Sequence, residues 1–226
     1  DLSLTKTAPA DKLAEQQQHF GLALTCAHEA YPGHHLQFVT AYRHPRGWRR
    51  LFAHAVFYEG WTLWCEQMMV DAGFGREDQT IRLGQLAESL IRLVRVIVAI
   101  RLHAEDMSVE QGVRFFRDEA FMEEAGARRE AERGTFDPTY LVYSAGKLML
   151  LKLRSDWKRQ QGKAYSLKTF HDTLLANGTA PFWLHRELML GAPFWEKPEA
   201  WRAQSPVSHG AGLSRSAGRL PAAPRR

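Results

Sequence analysis

At 226 residues, with 45% apolar and 24% charged residues, the chain is long enough to bury one sizeable core, which sets it apart from disordered and fibrous sequences. Its 30 basic and 25 acidic residues leave a formal charge of +5, and part of that excess sits at Arg202, Arg215, Arg219, Arg225 and Arg226. With no basic face interleaved with exposed aromatics and no recognisable binding motif, this charge does not point to nucleic acid.

The opening Asp1-Leu2-Ser3-Leu4-Thr5-Lys6 is not a signal peptide. The most apolar run, Leu90 to Leu102, is interrupted by Arg92, Arg95 and Arg101, so no membrane span is expected. The compartment, cytoplasmic or periplasmic, and the oligomeric state are left open. Cys26 and Cys65 lie in apolar stretches and read as small buried hydrophobes.

Apolar residues recur at helical spacing in almost every long segment, and no segment alternates with period two, so the expected fold is all-α. A first helix runs from about Asp11 toward Thr40 with an interruption at Pro32-Gly33, because proline removes a backbone donor and clashes with the preceding turn. After a loop at His44 to Gly47, a second helix spans about Trp48 to Val70, ending near Gly73 and Gly75, and a third about Glu77 to His103. Ser108 with Gln111 is a capping-box pattern opening a helix to about Arg117. Another helix covers about Glu119 to Arg133.

Asp137-Pro138 reads as an N-cap and first-turn proline before a helix from Tyr140 to Gln160. Ser166 caps a shorter helix to Ala176, which Asn177-Gly178 ends through left-handed geometry, and a last helix covers about Pro181 to Leu190. Residues 1–191 thus form one helical domain. Residues 192–226, and most clearly Pro206 onward, are rich in Pro, Gly, Ser, Ala and Arg and are expected to be disordered.

The segment from His28 to His35 holds three histidines and a glutamate in eight residues. A zinc peptidase needs two imidazoles facing one ion, a neighbouring glutamate to take a proton from water, and a third ligand from another element. In the usual His-Glu-x-x-His form the two imidazoles are four apart on one helix face. Here that position is Pro32, and the next histidines follow six and seven residues after His28. On a regular helix His34 would lie about 9 Å along the axis and on another face. Two residues bulging out at Pro32-Gly33 would return it, so His34 is preferred to His35 as second ligand. Glu59, flanked by Gly60, is the expected third ligand from a returning helix, with Glu66 either an alternative ligand or an acceptor for an imidazole N–H.

The chain resembles the bacterial family catalogued as domain of unknown function 885. The matching stretches are His28 to Gln37, Tyr58 to Trp61, Cys65 to Met69, Arg101 to His103, Met107 to Glu110, Asp137 to Lys147 and Phe170 to Asp172, in order across about residues 20 to 190. The resemblance implies kinship with zinc-dependent peptidases of the gluzincin type, with an all-helical metallopeptidase-like fold, His28, His34 and Glu59 as ligands of Zn2+, and Glu29 as general base. Members of the family are usually much longer, so this chain resembles their carboxy-terminal, metal-bearing half. Where relatives have an acidic residue in the Arg95-to-His103 stretch, this chain has Ala99.

Hydrolysis at such a site needs a donor to the oxyanion. Tyr140 and Tyr143, three apart on one helix, are the candidates, with Tyr143 preferred. Lys147 and Arg154 are candidates for a substrate carboxylate, and His171 for holding substrate or a ligand. The expected function is zinc-dependent hydrolysis of a peptide substrate. Two alternatives share the same residues: a non-catalytic metal-binding or scaffold domain, and a metal-dependent hydrolase of a non-peptide amide or ester.

Overall fold

The computed structural model describes residues 19–191, which fall in one unit. The expected disorder of the tail lies outside the described residues. These are all-α: α1 (His19–Glu29), α2 (His34–Tyr42), α3 (Trp48–Leu51), α4 (Ala55–Asp71), α5 (Gln79–Ala104), α6 (Val109–Ala120), α7 (Glu124–Gly134), α8 (Val142–Gln161), α9 (Leu167–Ala176) and α10 (Phe182–Leu190), with 3-10 turns at Pro138–Leu141 and Gly162–Ala164. No helix among the described residues is long and apolar enough to cross a membrane.

The caps follow side-chain chemistry. Ser108 and Gln111 form the reciprocal box at the start of α6, and Ser166 accepts from the Thr169 amide at the start of α9. Gly178 takes a φ of +77° just past the end of α9, a conformation open to glycine at no steric cost. Asp78, which the sequence reading passed over, caps α5 by accepting from the Thr80 amide.

Three expected spans are corrected. The segment Trp48 to Val70 is not one helix: Phe52 and His54 are extended, and the His54 amide bonds to the Thr179 carbonyl at 3.1 Å. This long-range contact outweighs local propensity. The segment Glu119 to Arg133 is split by Phe121, whose left-handed backbone ends α6 before α7 begins at Glu124. Asp137 does cap the following turn, but that turn is 3-10 and α8 proper starts at Val142.

Two apolar clusters hold the helices together. In the first, Phe57, Trp61, Trp64 and Cys65 of α4 recur at helical spacing and pack against Leu150, Leu153 and Trp157 of α8 and Phe170 and Leu174 of α9. Trp61 and Trp64 thus belong to the core. In the second, Val94 and Val98 of α5 meet Val113 and Phe116 of α6, Ala127 and Ala131 of α7, and Tyr140. Ala99 is buried there too. The opposite face of α5 leaves Leu83, Leu86, Leu93, Ile97 and Ile100 exposed. Of the two free cysteines, Cys65 is buried as expected, whereas Cys26 is exposed because it faces away from the α4 and α5 contacts of α1.

The crossing of α4 and α8 is tight. A Cβ placed on Gly60 would lie 2.3 Å from the Gly146 carbonyl carbon, and one on Gly146 would lie 1.9 Å from the Val56 carbonyl oxygen. Because the obstruction on each side is backbone, any side chain at either position would force the helices apart. Glu59 and Tyr143 stand beside this crossing.

Candidate metal centre

The centre is built where α1 stops. His28 and Glu29 occupy its last turn, and the amides of Ala30 and Tyr31 both bond to the Cys26 carbonyl as the helix closes. The chain then leaves helical geometry through the cis Tyr31–Pro32 peptide and Gly33, and re-enters at His34. The Leu36 amide reaches back to the Ala30 carbonyl at 3.4 Å, across the interruption.

Gly33 is required by close approach: a Cβ there would lie 1.7 Å from the His28 carbonyl oxygen. The Pro32 carbonyl, buried by this path, accepts from the Trp61 indole at 3.0 Å and the Cys65 thiol at 3.6 Å. The aromatic face of α4 thus fixes the break, and the break sets His34 beside His28, their ring centroids 5.0 Å apart.

Glu59, on the facing turn of α4, lies between the two imidazoles. Its Oε2 is 3.6 Å from His28 Nε2 and 3.5 Å from His34 Nε2. Both separations exceed a good hydrogen bond, and Oε2 is buried without a partner. The spacing matches a different object. Bonds of ~2.0–2.1 Å in a tetrahedral zinc site hold neighbouring ligand atoms roughly 3.4 Å apart. One ligand atom each from His28, Glu29 and His34 also lie within 4.8 Å of one another, so this cluster can hold a metal ion.

Glu66, two helical turns further along α4 and only 2% exposed, accepts from His28 Nδ1 at 2.7 Å. A carboxylate can only accept, so Nδ1 carries a proton and Nε2 is the nitrogen that faces Glu59. This is the outer-shell arrangement that orients metal-binding histidines. Of the two roles expected for Glu66, this contact fits that of acceptor.

Without an ion, protons take up part of the negative charge. Burial alone would pull His28 down, but the Glu59 and Glu66 carboxylates outweigh it and lift its pKa to about 9. Burial opposes ionisation of Glu59, and the contacts with His28 and His34 overcome this and hold its carboxyl well below the usual range.

The other expected residues divide. His35 points to solvent, while its neighbour His34 enters the centre. Glu29 is exposed. Tyr143 lines the same cavity as His28, Glu29 and Glu66, and burial, aided by the Glu59 charge, pushes its phenol up. Tyr140 does not join it. Its ring is fully buried in the second cluster and its hydroxyl donates to the Glu130 carbonyl at 3.0 Å. The 3-10 turn at Pro138–Leu141 separates two tyrosines that an unbroken α-helix would have aligned.

Arg154 and His171 are likewise engaged elsewhere. Lys147 is half-buried, and burial holds its amine down. Arg154 lies over the Trp64 ring and donates to the Tyr165 hydroxyl. His171 accepts from the Trp64 indole at 3.1 Å, and burial with Arg154 nearby lowers its pKa to about 4, so it is a neutral packing residue. The sequence reading missed Arg92, Arg95 and Arg133, which line the cavity beside His28 and Glu29. Arg92 and Arg95 stand three apart on α5, but Arg133 comes from α7, and no local spacing links it to them. The arginines that break the apolar run at Leu90 were the available signal.

Fold and centre together define an all-helical domain with a cluster able to bind a metal. The chain belongs to a bacterial family of unknown function, DUF885, whose model matches residues 5–189. No curated protein matches it. Among solved structures it is similar to a "putative lipoprotein of unknown function" from Shewanella oneidensis, with a TM-score of 0.76 and 29% identity over 83% of this chain. It is also similar to a "putative lipoprotein" from Colwellia psychrerythraea, with a TM-score of 0.71 and 32% identity over 74% of this chain. The chain spans 35% and 29% of the lengths of those two proteins.

Proposed function

We propose that this chain is a metal-binding helical domain whose ion is held by His28, His34 and Glu59, and that the ion serves hydrolysis of peptide bonds. The observation that carries the metal-binding part is the buried, partnerless Glu59 Oε2 set between two imidazole nitrogens at tetrahedral spacing. Two imidazoles and a carboxylate suit zinc, and three protein ligands leave a position free, whereas structural zinc sites are usually closed by four.

A bound zinc ion would supply Lewis acidity toward a carbonyl and activate a water for attack. Glu29, next to His28 and exposed at the cavity, would take the proton from that water and pass it to the leaving amine. Tyr143, on the same cavity wall, would donate to the oxygen that gains charge. Glu66 would keep the His28 lone pair aimed at the centre.

A second reading keeps the ion without this chemistry: a non-catalytic metal-binding domain, or a hydrolase of another amide or ester. It is favoured by the His28, Glu29 and His34 cluster, which supports metal binding by itself. The lipoprotein descriptions of those relatives support an envelope location, which fractionation of the native cell tests through whether the protein appears with periplasm or cytosol. Metal analysis of purified protein with Glu29→Gln, Glu59→Gln and His35→Ala variants tests the reading. The parent, Glu29→Gln and His35→Ala proteins should each carry one zinc, and Glu59→Gln should lose it. The parent should cleave a peptide library that Glu29→Gln does not. Zinc retained by Glu59→Gln would overturn the ligand set, and a zinc-loaded parent that cleaves nothing would leave the non-catalytic reading.

A further inference from the structure

The cavity of about 230 Å3 that opens beside His28 and Glu29 is walled on its far side by guanidinium groups. This is below the ~300–1,000 Å3 of a pocket for a drug-sized ligand, so it accommodates the end of a chain or one side chain rather than an extended segment.

Its arginines are held in place from behind. Arg95 donates through Nε and Nη2 to the two oxygens of Glu130 at 2.6 and 2.7 Å. Arg133 donates to Asp137 at 3.0 Å and lies over the Tyr140 ring. Neither Glu130 nor Asp137 lines the cavity. Arg92 pairs with Glu88 and stands 3.9 Å from Glu66, yet its Nε is buried without a partner. Of the acids on the wall, Glu88 is engaged by Arg92 and Glu66 by His28, which leaves Glu29 at the metal side. Each guanidinium carries five N–H donors, more than these contacts use. Donors fixed in advance by a backing acid lose little freedom on binding, and a fork of N–H groups matches the two oxygens of a carboxylate.

We propose that Arg92, Arg95 and Arg133 make this cavity a carboxylate subsite, which seats an anionic end of the substrate next to the metal centre. This rests on the hydrolytic reading above for the word substrate, while the binding itself does not. The carboxylate is either the C-terminus of a peptide or an acidic side chain.

Calorimetry on the full chain, zinc-loaded and metal-free, tests it with three probes: N-acetyl-Phe-Ala with a free carboxylate, the same dipeptide as its amide, and N-acetyl-Phe-Glu amide. A carboxylate-bearing probe should bind about tenfold tighter than the neutral amide, as charge-assisted hydrogen bonds imply. Because the arginines rather than the ion read it, that preference should persist in metal-free protein. Preference for the first probe identifies a chain terminus, and preference for the third an acidic side chain.

Arg133→Gln, at a residue whose side chain is 44% exposed, should retain the fold, as a thermal melt will verify, and should reduce the preference severalfold. Arg92→Lys keeps the charge but loses the fork, and should reduce it too. Equal binding of all three probes would overturn the subsite. So would a preference that vanishes with zinc removal and is untouched by either variant. Failure of the metal reading is seen separately, as absence of zinc uptake by protein that still discriminates between the probes.

Discussion

Two charged clusters are buried within this small domain, and they differ in whether they satisfy themselves. Arg95 and Glu130 meet fork to fork, and Tyr140 and Arg133 close around the pair. His28, His34, Glu59 and Glu66 bring together mostly acceptors, and Glu59 Oε2 is buried with no partner within hydrogen-bond distance. A balanced buried pair asks for no cation, and its spare guanidinium donors stay available to an anion. An acceptor-rich one asks for a cation, so the contrast separates two sides of one cavity by the charge each takes.

The largest expected effect breaks the structural side. Arg95→Met leaves Glu130 buried and unpaired and should lower stability by about 3–5 kcal/mol in urea denaturation. Zinc affinity of the folded fraction should be unchanged. Loss of zinc binding in proportion to stability would erase the distinction between the clusters. The converse change, Glu59→Gln, should weaken zinc by more than the ~10–100-fold typical of outer-shell losses, measured by chelator competition.

How far this contrast was legible in the sequence depends on how local each part is. His28, Glu29 and His34 lie within seven residues, and Glu59 sits beside a glycine whose packing role follows from its lack of a side chain. Those residues could be named before any coordinates. Choosing His34 over His35 required a guess about the path at Pro32-Gly33, which is held by Trp61 from another helix. Arg92 and Arg95 share a face of α5, but Arg133 could not be joined to them, because its proximity is produced by the packing of α7. The split at Phe52–His54 was hidden for the same reason: its partner, Thr179, is more than a hundred residues away. Helix caps, which need only three or four residues, were read correctly at Ser108 and Ser166.

A smaller change sharpens the role of Glu66. It touches no proposed open position, yet its 2.7 Å bond fixes the His28 tautomer. Glu66→Gln should therefore retain the fold and weaken zinc by ~10–100-fold. An unchanged affinity would make Glu66 a packing residue and would leave His28 oriented by its backbone alone.

The smallest expected effect per step is the pH dependence of zinc binding, and its sign follows from His28. In metal-free protein the flanking carboxylates raise its pKa to about 9, above the ordinary value of 6.5, so between these limits the folded protein holds a proton there that an unfolded chain has lost. A raised histidine stabilises the metal-free fold fully below pH 6.5, and that contribution is lost as pH rises through about 9. Zinc needs the same nitrogen unprotonated, so binding must expel this proton at neutral pH. Affinity should then rise by about tenfold per pH unit from pH 6 to 8, with roughly one proton released per zinc in calorimetry across buffers of different ionisation enthalpy. Glu66→Gln removes one of the charges that hold the proton, and so should flatten the slope as well as lower the affinity. A flat profile in the parent would mean that His28 is already neutral beside Glu59. The acceptor-rich cluster would then lack the proton that now stands in for its cation, and the contrast with Arg95 and Glu130 would rest on geometry alone.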